Sequence, residues 1–145
     1  MAVDIRTLRI GSHVLVNGVR ATVERLEIRK WQDGIQRPWG FFHGIVNGTY
    51  RECGGFLDVD NVMPIPITPE LLYELGFEEM YWSYEKSFVK PLQGKGFVVI
   101  QDEDGEWRTK YYPYKGCNYG EIRDTKYLHV AESFIALHGL ELITD

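Results

Sequence analysis

Residues 60–77 are Asp60-Asn-Val-Met-Pro-Ile-Pro-Ile-Thr-Pro-Glu-Leu-Leu-Tyr-Glu-Leu-Gly-Phe77, and this stretch predicts a stiff connector that leads into a short helix. Pro64 and Pro66 fix their own φ angles and disfavour helical geometry in the residues before them. Residues 63–67 should therefore be extended and should lack a complete hydrogen-bond ladder. Everything before this connector has β-rich patterns, and everything after it predicts a second sheet closed by a helix.

A short helix should begin directly after the connector. Thr68 offers a hydroxyl for an N-cap, and Pro69 suits the first helical position. Glu70 complements the positive end of the helix dipole, and Gly76 is placed to end the helix. We therefore expect a junction helix over residues 69–75.

Two Asn-Gly pairs lie between β-prone runs in the first part of the chain, at residues 17–18 and 47–48. Asn-Gly favours the two-residue hairpin turn, because both central residues of a type I′ turn need positive φ. Gly54-Gly55 should interrupt the strand that follows the second turn. About five short strands within sixty residues predict an SH3-like small barrel over residues 1–67.

The apolar pattern of the second strand changes parity along its length. Ala21 and Val23 share one face, whereas Leu26 and Ile28 have the opposite parity. A β-bulge near residues 24–25 would bring both pairs onto the core face.

The second part of the chain, residues 68–145, predicts the junction helix and a small α+β unit. Residues 80–86 alternate like one strand, and residues 96–101 and 106–112 like a hairpin about Asp104-Gly105. A closing helix should run from near Thr125 to Gly139, followed by a short tail strand. The expected fold class is α+β and β-rich, with a C-terminal sheet of three to four strands and one packed helix. The two parts could also form one compact, two-lobed domain.

Composition restricts the classes of function. The chain has 145 residues, a net charge of -5 and a pI near 5.4, which argues against duplex DNA as a partner because such binding needs many cations. Cys53 and Cys117 belong to no CxxC pair, so neither a disulfide framework nor a zinc site is indicated. An apolar leader or membrane span is missing from the pattern, so we expect a cytoplasmic protein without a membrane partner or a cofactor.

Two groups of residues raise the question of catalysis or metal binding. His43 and Cys53 should lie on neighbouring strands with Asp58 and Asp60 nearby, an arrangement that a Cys/His-dependent enzyme would need. A buried free cysteine beside a half-exposed histidine explains the same residues without chemistry. His129 and Glu132 are one helical turn apart, but a metal site needs more ligands than these.

Aromatic residues make up 14% of the chain, and several lie close to cations in the sequence. Such residues form cross-strand packing pairs, protein-binding surfaces or stacking platforms for single-stranded nucleic acid. The candidate partner-binding residues are Trp31, Trp39, Arg108, Lys110, Tyr112, Tyr114, Lys115 and Tyr119.

Three segments resemble a family of small uncharacterised proteins from gut Bacteroidetes genomes, phages and mobile elements. They are residues 8–12 (Leu-Arg-Ile-Gly-Ser), residues 62–77 with their Pro-Ile-Pro-Ile-Thr-Pro motif, and the closing pattern of residues 126–142. The chain departs from the family pattern at Ser12, where asparagine is usual, at residues 130–133 and at His138. The resemblance implies an architecture and a mobile-element setting, and it implies no activity.

These observations together predict a non-enzymatic accessory protein that binds another protein through exposed aromatic residues. A weak single-stranded nucleic-acid binder is the alternative, and a Cys/His-dependent enzyme is a remote one.

Overall fold

The computed structural model describes residues 3, 7–58, 60–82, 85–92, 94–103, 105–113 and 120–143, except for the side chains of Trp82 and Glu85. The chain divides into two compact units, Met1–Ile65 and Pro66–Asp145. Within the described residues, each unit contains one antiparallel sheet of five strands. The β-rich α+β class is therefore confirmed. No helix in the described ranges has the length and apolar character needed to cross a membrane.

The first sheet has the strand order β4-β3-β2-β1-β5. Its strands are β1 (His13–Val16), β2 (Val19–Lys30), β3 (Gln36–Val46), β4 (Thr49–Phe56) and β5 (Val62–Met63). Both Asn-Gly hairpins are confirmed, since positive φ angles occur at Asn17, Gly18, Asn47 and Gly48. Neither described sheet closes on itself, so the predicted SH3-like barrel is not confirmed.

The predicted bulge in β2 is present, because the register between β2 and β3 shifts between Val23 and Arg25. Leu26 consequently packs against the core of the first unit, which includes the fully buried Val14 and Phe42. Ile28 does not reach that core and is 61% exposed. The long β2-β3 hairpin extends beyond the part of the sheet that the core covers.

Gly54 and Gly55 do not interrupt β4, contrary to the sequence-based expectation. Both residues continue the pairing with β3, opposite Phe41 and Gly40. A Cβ on Gly54 would lie 2.2 Å from Cζ2 of Trp39, so the missing side chain makes room for the indole ring. Glycine thus serves packing here, which is one of its known roles within strands.

Helix α1 (Pro69–Glu74) matches the predicted junction helix and both of its end signals. The hydroxyl of Thr68 accepts a hydrogen bond from the N–H of Leu71 at 3.2 Å. At the other end Gly76 has φ of 88°, and Phe77 N–H donates to the Leu72 carbonyl at 3.0 Å. This is the bonding pattern of a Schellman motif.

The second sheet has the order β10-β9-β8-β7-β6, one strand more than the largest number expected. Its strands are β6 (Glu78–Trp82), β7 (Glu85–Pro91), β8 (Phe97–Glu103), β9 (Glu106–Tyr112) and β10 (Gly120–Ile122). The single strand predicted over residues 80–86 is wrong, because β6 and β7 pair with each other up to Trp82 and Glu85. The predicted β8-β9 hairpin is confirmed and is closed by the Glu103–Glu106 pair.

Helix α2 (Leu128–Ala136) begins later than expected and contacts β9 of the second sheet. Phe134 and Ile135 of the helix are buried. His138, just after the helix, contacts Tyr111 of β9 with ring centroids 4.5 Å apart. Residues 140–143 do not form the predicted tail strand. Instead, the carbonyl of Leu142 accepts a hydrogen bond from Lys90 at 2.9 Å.

Candidate functional site

Trp39 is largely covered by other side chains. Its ring lies against Gly54 on the β4 side, and the guanidinium of Arg29 is stacked 3.5 Å from the ring centroid. Only 9% of Trp39 remains exposed. Glu27 holds Arg29 in place with a 2.8 Å ion pair. A partner could reach this indole only if Arg29 moved away.

Trp31 lies at the end of the β2-β3 hairpin and is half-buried. Its ring packs edge-on against Phe56, with centroids 5.1 Å apart. Its main-chain N–H donates to the carbonyl of Ile35 at 3.0 Å and helps to close the turn. Packing against Phe56 of β4 therefore accounts for part of the burial of the Trp31 ring.

Arg108 and Lys110, the two described cations of the surface proposed for nucleic-acid binding, are paired with carboxylates. Glu103 accepts from Arg108 at 2.7 Å and from Lys110 at 3.2 Å. Lys110 also donates to Gln101 at 2.6 Å, and the Arg108 side chain is only 20% exposed. Internal pairing of this kind leaves little positive charge for phosphate groups.

Tyr112, the aromatic residue of the same candidate surface, is 7% exposed. Its ring stacks on Phe97 at a centroid distance of 5.3 Å. Tyr114, Lys115 and Tyr119 lie outside the described residues. The described part of this surface is thus a packed and charge-paired sheet face.

His43 and Cys53 lie on neighbouring strands, but their side chains belong to opposite faces of the first sheet. Cys53 pairs with the core residue Phe42, whereas His43 pairs with Glu52. The His43 ring stacks on Tyr50, with centroids 5.8 Å apart. Desolvation raises the pKa of the Cys53 thiol, which disfavours the thiolate that a nucleophile requires. The geometry gives no support to a Cys-His dyad.

Metal ligation gains no support from the ranges that the structure describes. They contain no group of three or more His, Cys, Asp or Glu side chains arranged to hold an ion. His129 is buried and stacks on Tyr127 at a centroid distance of 6.0 Å.

A cleft of about 340 Å³ lies in the second unit, between the β7-β8 turn and the chain after α2. Desolvation lowers the pKa of Lys90 in its wall. The ammonium of Lys90 is bonded to the Leu142 carbonyl, and Lys95 is exposed to solvent. The cleft therefore offers no buried, unpaired group among its described lining residues that would select a ligand.

The free edge of β4 is the feature with the clearest capacity for binding. β4 pairs with β3 on one side, and no described strand pairs with its other side. Residues 49–54 are all exposed. An unpaired edge offers a row of main-chain donors and acceptors to an added strand.

The direction of each peptide group along β4 follows from the hydrogen bonds at its end. Leu57 N–H donates to Pro38 at 3.0 Å, towards β3. Phe56 points the other way, since its N–H donates to Oδ2 of Asp60 at 2.8 Å. Because this direction alternates in antiparallel pairs, Tyr50, Glu52 and Gly54 point their N–H and C=O groups away from β3. Asp60 occupies the edge only at Phe56.

An apolar cleft of about 200 Å³ adjoins this edge on the core face of the sheet. Gly44 pairs with Arg51 and lines the cleft without a side chain, between residues with larger ones. A Cβ on Gly44 would lie 2.9 Å from the Arg20 carbonyl and 3.6 Å from the Ala21 side chain. The apolar lining consists of Val16, Val19, Ala21, Phe42, Val46 and Cys53.

Arg51 borders this cleft and is the charged side chain of β4 on the core face. No carboxylate within the described ranges forms an ion pair with it. The cleft therefore combines an apolar floor with a cation at its rim, directly beside unpaired main-chain groups.

Comparison with protein-family models, with curated proteins and with solved structures finds no match for this chain. The β4 site is consequently defined by its geometry alone.

Sequence reasoning did not find the β4 site, although the sequence carries a signal for it. Residues 49–52, Thr-Tyr-Arg-Glu, follow the second hairpin turn directly and are polar at both odd and even positions, and therefore on both faces of the strand. A strand that is polar on both faces cannot be central in a sheet, because a central strand buries at least one face. That pattern is typical of an edge strand.

Proposed function

We propose that the chain is a non-enzymatic protein-binding module which accepts an extended segment of another protein as an additional strand beside β4. The unpaired, exposed edge of β4 is the single observation that carries this proposal. Strand addition is a common mode of peptide recognition, in which main-chain bonds supply affinity and side-chain pockets supply specificity. The resemblance to phage and mobile-element proteins supports an accessory role.

Main-chain bonding alone would give a modest affinity. Tyr50, Glu52 and Gly54 offer about six outward donors and acceptors in total, each hydrogen bond contributing about 0.5–1.5 kcal/mol. Burial of an apolar side chain in the adjoining cleft adds about 1.5–3 kcal/mol. The cost of ordering a flexible segment offsets much of this sum. We therefore expect reversible binding of short segments.

A proline substitution on β4 tests the proposal directly. Glu52→Pro removes an N–H that points away from β3, so it blocks strand addition without removing a bond of the sheet. Glu52→Ala keeps the N–H and serves as the matched control. Peptides selected from a random display library on the wild-type chain should bind the alanine variant and lose at least tenfold in affinity for the proline variant.

The fold of the proline variant must be checked in the same experiment. A thermal midpoint within a few degrees of the wild-type value shows that the sheet is intact. Equal binding of the selected peptides to both variants, or failure to select any peptide, contradicts strand addition at β4.

A further inference from the structure

We infer that the segment bound beside β4 carries a carboxylate opposite Arg51 and an apolar side chain opposite Cys53, two residues away. This inference rests on the proposed strand addition and specifies the partner's chemistry. Alternate residues of an added strand face the same side of the sheet. The residues opposite Arg51 and Cys53 would therefore both face the cleft.

The carboxylate follows from the charge pairing in the first unit. Arg25 and Arg29 are both paired with Glu27 at 2.8 Å. Arg37 is paired with Asp33 at 3.0 Å and with Asp58 at 2.9 Å. Arg51 has no such partner in the described ranges, so its charge is available at the edge. Opposite charges directly across a strand pair are stabilising, and like charges are destabilising.

The apolar side chain follows from the surroundings of Cys53. This residue pairs with Phe42, which is completely buried in the core of the first unit. Val16, Ala21 and Val46 line the cleft next to them. A side chain opposite Cys53 would cover this apolar surface, and a charged one would lose its hydration there.

The outer face of the sheet sets a further condition on the segment. The residue between the two cleft-facing positions would lie opposite Glu52, whose carboxylate accepts a hydrogen bond from Tyr50 at 2.9 Å. A second carboxylate at that position would repel Glu52. The expected pattern is thus one acidic residue, one non-acidic residue and one apolar residue, in either chain direction, and not a general acidic tract.

A charge-reversal selection tests this pattern. A random peptide display library is selected in parallel on the wild-type chain and on Arg51→Glu, with Arg51→Gln as the neutral control. Wild-type selections should enrich Asp or Glu two positions from an apolar residue, and Arg51→Glu should enrich Lys or Arg at that position. Peptides selected on the wild-type chain should bind Arg51→Glu about three- to tenfold more weakly than they bind wild type. Peptides selected on Arg51→Glu should show the reverse preference by a similar factor.

The outcomes distinguish an error in the partner chemistry from an error in strand addition itself. If the selected peptides are sensitive to Glu52→Pro but show the same residues on wild type and Arg51→Glu, the partner chemistry is wrong and strand addition stands. If the selected peptides are insensitive to Glu52→Pro, or none is enriched, strand addition itself is wrong.

Discussion

Two adjacent glycines on β4 differ in the space available to a side chain. A Cβ on Gly54 would lie 2.2 Å from Cζ2 of Trp39, whereas the nearest atom to a Cβ on Gly55 is 3.5 Å away, in Asp60. Gly54→Ala must displace the indole from its position under Arg29. Because overpacking typically costs about 1–3 kcal/mol, we expect the stability of the first unit to fall by that amount in urea denaturation.

Gly55→Ala is the matched control for this substitution. Its new methyl group would make ordinary contacts, so it should cost clearly less than Gly54→Ala. Equal destabilisation by both substitutions would show that loss of glycine in the strand, and not the Trp39 contact, determines the result.

Asp33, in the turn between β2 and β3, carries a pKa below its usual value. The largest cause is the hydrogen bond from the N–H of Ile35 to Oδ1, at 2.9 Å, and Arg37 adds to the effect. Because the folded-state pKa is depressed, this carboxylate stabilises the fold above its unfolded-state pKa. That contribution is lost as pH falls through the folded-state pKa.

Arg37→Gln should raise the pKa of Asp33 only in part, since the Ile35 hydrogen bond remains. An NMR titration of the side-chain carboxyl carbon measures this directly. Asp58→Asn is the control, because it removes the other ion pair of Arg37 and leaves Asp33 in place. Complete return of the Asp33 pKa to its ordinary value in Arg37→Gln would contradict the assigned order of causes.

At the scale of elements, α1 shows how a side chain outside a helix stabilises its first turn. Thr68 accepts a hydrogen bond from Leu71, one of the N–H groups that lack a partner within the helix. Thr68→Ala should therefore lower the stability of the second unit by about 1 kcal/mol. Thr68→Ser keeps the hydroxyl acceptor and should retain most of the stability that the cap contributes. Similar losses in both variants, measured by thermal unfolding, would exclude the cap as the cause.

Local signals in the sequence predicted the elements that depend on local geometry. The Asn-Gly hairpins, the bulge after Val23 and the cap at Thr68 all follow from φ preferences or side-chain parity within a few residues. The boundary between β6 and β7 was missed because, apart from Ser83, the sequence there has none of the Gly, Pro, Asn or Asp residues that usually mark a turn. The alternation of residues 80–86 suggested one strand, although Met80 pairs with Ser87 and Tyr81 with Lys86, so that even positions of β6 share a face with odd positions of β7.

Features that depend on distant residues could not be predicted. The role of Gly54 becomes visible only when Trp39 is known to lie across from it on β3. The burial of Trp39 depends likewise on Arg29, ten positions earlier in the chain. The open edge at β4 depends on the strand order of the sheet, and the number of aromatic residues in the sequence does not predict that order.

At the scale of the whole molecule, the chain has a net charge of -5, and many of its cationic side chains form ion pairs with its own carboxylates. Arg108 and Lys110, the described cations of the predicted nucleic-acid surface, share Glu103. We expect the wild-type chain to bind a labelled oligothymidine with a Kd no lower than about 0.1 mM at physiological salt, the weak end of the range for non-specific binding. Fluorescence anisotropy measures this binding.

Glu103→Gln tests whether pairing is the reason for weak binding. Removal of this carboxylate leaves Arg108 and Lys110 with more uncompensated charge, so oligothymidine affinity should rise at low salt and fall steeply as salt increases. Glu106→Gln is the control, because Glu106 lies 3.8 Å from Arg108 and makes a weaker pair. Micromolar binding by the wild-type chain with a steep salt dependence would contradict this account. It would direct attention to the nucleic-acid alternative, since the cations would then bind phosphates in spite of their internal partners.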